Sequence, residues 1–98
     1  MKPKISIVGT WVSIEDASSV EFCIAKKKRG YGVTVIDSFD DEVPAVSEEK
    51  YDGKTGIFSF ALYWDSTGRF SRYRMKQSSE DKVEITYTHT DSEVLIRK

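Results

Sequence analysis

One cysteine, one histidine and two prolines in 98 residues close off several chemistries at the outset. Cys23 has no second thiol for an internal disulfide, so the fold is not stapled and the chain suits a reducing compartment. One His89 beside one thiol does not make a soft-ligand zinc set. A nucleophile–base pair would need the fold to press Cys23 against His89, and nothing in their spacing asks for it; Cys23 reads as a small half-buried filler and His89 as a rim residue near a strand end. No catalytic residue, metal or cofactor is expected, and the chain reads as a non-enzyme. No apolar run approaches the ~20 residues of a spanning helix, and the start Met1-Lys2-Pro3-Lys4 is not followed by the apolar stretch of a signal peptide. A soluble, cytoplasmic protein without a membrane partner is the expectation. An excess of one charge is missing too. Fifteen Lys and Arg against sixteen Asp and Glu leave a net charge of −1, so nothing global points to nucleic acid, and no nucleic-acid partner is expected.

What the chain does contain is alternation. Eight short extended segments, 5–14, 20–28, 31–38, 43–51, 56–64, 69–77, 82–89 and 92–97, are separated by turn signals such as Arg29-Gly30, Asp52-Gly53, Asp65-Ser66-Thr67-Gly68 and Thr90-Asp91. Val20, Phe22 and Ile24 share one face of their segment; Phe58, Phe60, Leu62 and Trp64 share one face of theirs; Val83, Ile85, Tyr87 and His89 share another. A period of two with one wet face is the pattern of antiparallel sheet. Residues 1–98 therefore read as one all-β domain: an eight-stranded antiparallel up-and-down barrel, with a β-sandwich as the alternative.

Two segments are ambiguous. In 69–77, Phe70 shares its face with Arg72 and Arg74 while Tyr73 and Met75 share the other, so one face holds an exception or a bulge shifts the phase. In 43–51, Asp41 fits a helix cap with Pro44 in the first turn, but Val43, Val46 and Tyr51 make a poor helical stripe, and strand is preferred. If the strands run up and down, alternate turns share an end. Glu15, Asp16, Asp37, Asp40, Asp41, Glu42, Asp65 and Asp91 then gather at one rim, and Lys26–Arg29, Lys54 and Lys82 at the other, with Lys2, Lys4, Arg97 and Lys98. The acidic turn lacks the spaced ligands and glycine of a calcium loop. The basic hairpin beside Tyr31 is read as a solvated tip rather than an RNA contact.

The first segment carries Gly9-Thr10-Trp11. A glycine inside a strand marks a bend or a close backbone approach, and Trp11 lies on the same face two residues on. This Gly-x-Trp resembles the first-strand signature of lipocalin-like (calycin) barrels, and Trp11-Val12-Ser13, the Asp40-Asp41-Glu42 turn, Tyr51-Asp52-Gly53 and Ser66-Thr67-Gly68 resemble stretches of small bacterial proteins of that kind. The resemblance implies a barrel sealed near Trp11 and open at the acidic end to a small, mostly apolar ligand. The expected lining is Trp11, Phe22, Phe58, Phe60, Trp64 and Tyr87, with Arg72 or Arg74 as a polar anchor. The alternative is a filled barrel that contacts a protein partner or forms a homodimer through its edges or charged rims.

Overall fold

The computed structural model describes residues 6–13, 19–90 and 95–97. It contains β1 (Gly9–Val12), β2 (Val20–Lys27), β3 (Gly30–Asp37), β4 (Ala45–Asp52), β5 (Ile57–Trp64), β6 (Arg69–Ser79) and β7 (Lys82–Thr90). Strands β1-β2-β3 form one antiparallel sheet and β4-β5-β6-β7 another, each in chain order. The all-β reading therefore holds, and strand is the outcome for the ambiguous 43–51 segment, as β4. Asp41 does not cap a helix there. It takes φ 61° and closes a turn, its N–H donating to the Asp37 carbonyl at 2.7 Å.

The eight-stranded barrel becomes something coarser. Among the described residues there are seven strands in two sheets, neither closed on itself, and a sandwich-like arrangement fits them. Residues 5, 14 and 92–94 of the expected end segments lie outside the described residues. Leu95 and Ile96 lie outside any strand and are exposed.

The break between β3 and β4 has a local cause. In β4 the register shifts between Ser47 and Lys50, so Glu48 and Glu49 together face the β5 position of Phe60. This is a β-bulge, with Glu48 at φ 56°, a conformation that a non-glycine residue adopts only when its surroundings hold it there. The bulge sends the two side chains apart. Glu48 reaches Arg72 on one side, and Glu49 reaches the edge of β3 on the other, where its carboxylate accepts the Val33 N–H at 2.8 Å and meets Lys27 Nζ at 3.3 Å. A side chain thus stands where a backbone carbonyl would continue the ladder.

The core is the set of inward side chains of both sheets. Ile24, Val33 and Val35 come from the first sheet, and Phe58, Phe60, Leu62, Tyr73 and Met75 from the second. Aromatic rings join the layers. Phe22 of β2 lies 6.1 Å from Phe60 and 5.8 Å from Tyr73, and Tyr31 of β3 lies 4.7 Å from Tyr51 and 6.4 Å from Phe58. Strand β6 settles its ambiguity here. Ser71, Tyr73 and Met75 face inward; Phe70, Arg72 and Arg74 face outward, with the Arg72 guanidinium over the Phe70 ring at 4.9 Å. The exception on the inner face is Ser71, fully buried and hydrogen-bonded to His89 of β7, Oγ to Nδ1 at 2.5 Å.

The turns alternate between two ends as a meander requires. Ser66 of the β5–β6 turn donates its N–H and hydroxyl to Glu42 of the β3–β4 loop, at 3.1 and 2.6 Å, so Asp37, Asp40, Asp41, Glu42 and Asp65 share one end. Asp37 organises that loop. The Ser19 hydroxyl and the Phe39 N–H donate to its carboxylate and hold its carboxyl below the usual range. Glu15, Asp16, Asp91, Lys2, Lys4 and Lys98 lie outside the described residues.

Candidate functional site

The neighbourhood of Gly9 explains the shape of an apolar cleft. Gly9 takes φ 143°, a region closed to most side chains. That turn in the backbone lets Ile7 drop into the core, at 5% exposure, while the Trp11 indole folds back and donates its Nε1–H to the Ile7 carbonyl at 2.8 Å. The indole is half-buried against the core cluster. A Cβ at Gly9 would meet no atom within 4 Å, so the constraint there is backbone conformation and not space. Gly9→Ala is expected to cost about 1–2 kcal/mol through φ alone, read as a lower urea midpoint with an unchanged m-value. A neutral result would mean that the chain reaches Trp11 by another backbone path.

Trp11 and Phe22, with Met75, Val83 and Ile85, line a cleft of about 480 Å3 between the free edges of β1 and β7. Pairing explains their convergence. Trp11 faces Phe22 across β1–β2, Met75 faces Ile85 across β6–β7, and Gln77 faces Val83 one rung on. Among the described residues no strand lies between β1 and β7, so apolar side chains that would otherwise be covered border an opening. Asp81, Lys82 and Glu84 stand at its rim. The Gln77 amide donates to the Ser6 carbonyl at 3.1 Å and ties the start of the first sheet to the second.

The eight residues expected to line one interior are divided among four places. Trp11 and Phe22 border the cleft. Phe58 and Phe60 are sealed in the core, at 0% and 2% exposure, and line no opening into this cleft. Trp64 and Tyr87 lie farther along the inner face, Trp64 half-buried and Tyr87 at 57% exposure on the edge strand, with its ring 5.5 Å from Tyr73. Arg72 and Arg74 project from the other face of the sheet, away from Trp11 and Phe22, and border a separate groove that Phe60 and Tyr87 also line. The reason is the phase of β6, in which Tyr73 and Met75 take the core and the arginines take the far side. The cleft's lining includes none of Asp37, Asp40, Asp41, Glu42 and Asp65 of the acidic end.

A second cluster joins Ser71, Tyr73, Trp64 and His89. Burial pushes the Tyr73 phenol above its ordinary value, while hydrogen bonds with the Ser71 and Trp64 side chains pull the other way. Ser71 has no exposed surface, so its short bond to His89 joins β6 to β7 without offering a nucleophile to solvent. Cys23 is exposed on the first sheet, on a different layer from His89. Among the described residues no three His, Cys, Asp or Glu side chains are gathered to hold a metal ion, and no helix is long and apolar enough to cross a membrane.

Met75, Val83 and Ile85 were not among the expected lining residues. Their alternation marks them as an inner face, but nothing in alternation says that the neighbouring edge is uncovered. Comparison of the chain with family models, curated proteins and solved structures gave no match.

Proposed function

We propose that the protein is a binding module for a small apolar molecule, taken up in the lateral cleft between β1 and β7. The observation that carries the reading is the cleft itself. Its volume of about 480 Å3 falls within the roughly 300–1,000 Å3 typical of ligand sites, and its make-up, aromatic and aliphatic walls with a few charged groups at the mouth, is the usual one. The Gly9-Thr10-Trp11 strand beside it supports a lipocalin-like mode of use, in which the two sheets act together as a barrel and the β1–β7 opening is the entrance. Burial of a ligand against Trp11, Phe22 and Met75 supplies the affinity, at roughly 25 cal/mol per Å2 of apolar surface removed from water.

Trp11 reports on its own site. Titration with a panel of naphthalene-based and fatty-acid probes is expected to give a saturable shift in tryptophan emission that Trp11→Phe removes. Ile85→Trp, which fills the cleft from a partly exposed position, is expected to abolish probe binding while leaving the fold intact by circular dichroism. No response from any probe, or equal binding by the filled variant, defeats the reading.

A second reading, self-association with another copy of the chain, is favoured by one observation. Leu95 and Ile96 are 82% and 90% exposed, and the outer edge of β7 has no neighbouring strand among the described residues. Light scattering decides between them. A dimer that Leu95→Ser and Ile96→Ser disperse, with no probe response, selects the second reading.

A further inference from the structure

We propose that the outer face of the four-stranded sheet is a separate site for a phosphate-bearing ligand, with Arg74 as its principal anchor. This face lies on the other side of the sheet from the core, and the proposal does not depend on the apolar cleft. It holds a groove of about 840 Å3 running from the β4 bulge across β5 and β6 to β7.

Register sets out the groove's chemistry. One rung across the four strands reads Lys50, Ser59, Arg74 and Thr86; the next reads Ser47, Ala61, Arg72 and Thr88. The two rungs lie roughly 7 Å apart, two residues along a strand. Each residue is small or carries a donor, and three of them are cations. Among the described residues neither Arg74 nor Lys50 has an acidic partner. Arg72 has one: Glu48, brought over the face by the bulge, contacts it through both carboxylate oxygens at 3.3 and 3.4 Å, in an exposed and weak pairing.

Two guanidiniums, an ammonium and two threonine hydroxyls ask for more acceptors than a carboxylate has. A phosphate group brings a charge of roughly −1.5 to −2 and three acceptor oxygens, and arginine's planar fork suits it. Glu48 already shows that Arg72 accepts an oxyanion at this place, and it occupies that guanidinium when no ligand is bound. The net charge of −1 does not weigh against the site, because it sums over both ends of the molecule and this patch is local. The patch is bounded on one side by the rung Asp52, Ile57, Lys76 and Glu84, with two carboxylates against one ammonium, and on the other by Tyr63 paired with Phe70. An aromatic pair next to cations would let a base stack beside a bound phosphate, so the phosphate could belong to a small molecule or to a single-stranded nucleic acid.

The test is nuclear magnetic resonance titration of the full chain, following backbone amides and arginine Nε–H signals. Three probes separate the sources: inorganic phosphate, adenosine monophosphate and a short single-stranded deoxythymidine oligomer, each at low and physiological salt. Saturable shifts confined to Ser59, Arg72, Arg74, Thr86 and Thr88 are expected with at least one probe. Binding of the first two identifies a small phosphorylated ligand, and binding of the oligomer alone identifies a nucleic-acid backbone. Arg74→Gln should weaken binding about tenfold, the worth of one charge-assisted bond. Glu48→Gln, which removes the competing carboxylate, should strengthen it a few-fold. Lys28→Gln, a cation of the β2–β3 hairpin turn outside the groove's lining, should change nothing. Shifts that stay linear in probe concentration with all three probes, equal weakening by Lys28→Gln, or weaker binding by Glu48→Gln would each overturn the site in favour of diffuse surface attraction. All three positions are exposed, so unchanged melting curves are expected to accompany the binding data.

Discussion

Phe60→Ala is expected to lower stability by about 3–5 kcal/mol and to leave the domain close to unfolding at room temperature. The ring is 2% exposed at the middle of β5 and touches both layers. It stacks on Tyr73 with centroids 5.3 Å apart and an interplanar angle of 12°, lies 5.4 Å from Phe58, and meets Phe22 of the other sheet. Its removal deletes apolar burial and leaves a void that rings on two different sheets cannot both move to fill. Truncation at an exposed aromatic such as Tyr63 removes no such contact and should stay within about 0.5 kcal/mol. Denaturant midpoints and near-ultraviolet circular dichroism check the contrast. A loss under about 1.5 kcal/mol for Phe60→Ala, with aromatic dichroism intact, would show that the sheets are held by something other than this cluster. Phe60→Leu, which keeps most of the volume, should fall between the two.

The same cluster shows what the sequence made visible. Phe58, Phe60, Leu62 and Trp64 alternate without a break, and an uninterrupted period of two states both the strand and its inner face. Strand β7 was legible for the same reason, and the turns were legible because Asp52-Gly53 and Asp65–Gly68 carry residues that close turns with their own side chains. In β6 the alternation is sound but its phase is not. Phe70 outside and Ser71 inside each contradict their own face, and only the pairing of Tyr73 with Phe60 and Met75 with Phe58 decides which side the arginines take. That one residue of phase separates Arg72 and Arg74 from Trp11 and Phe22 and turns them to the groove on the far side of the sheet.

Closure was illegible for another reason. Whether a ribbon of strands becomes one barrel or two sheets depends on a few edge pairings. The deciding stretch, Ser47-Glu48-Glu49-Lys50, contains no apolar residue to reveal a phase slip. A bulge among polar residues leaves no trace in hydropathy. The cleft shares this character: Met75, Val83 and Ile85 read as inner-face residues in any arrangement, and they become a candidate site only because, among the described residues, no strand lies between β1 and β7.

Glu49→Ala tests that bulge directly. It is expected to cost about 2 kcal/mol, because the Val33 N–H, on a residue only 7% exposed, loses its acceptor and is left unpaired at the edge of β3. The ion pair with Lys27 adds little, since the lysine side chain is 59% exposed. Glu49→Gln keeps an oxygen that can accept the Val33 N–H and should recover most of the loss, whereas Lys27→Ala should be nearly silent. Amide hydrogen exchange gives the site-specific readout: protection at Val33 should fall in Glu49→Ala and persist in Glu49→Gln, while Ile24 and Leu62, away from the seam, keep theirs relative to global stability. Unchanged exchange at Val33 would mean that the carboxylate is a bystander. A gain in stability would carry a different meaning. It would show that β3 and β4 pair directly once the carboxylate is gone, so that Glu49 acts as a spacer holding the meander open as two sheets.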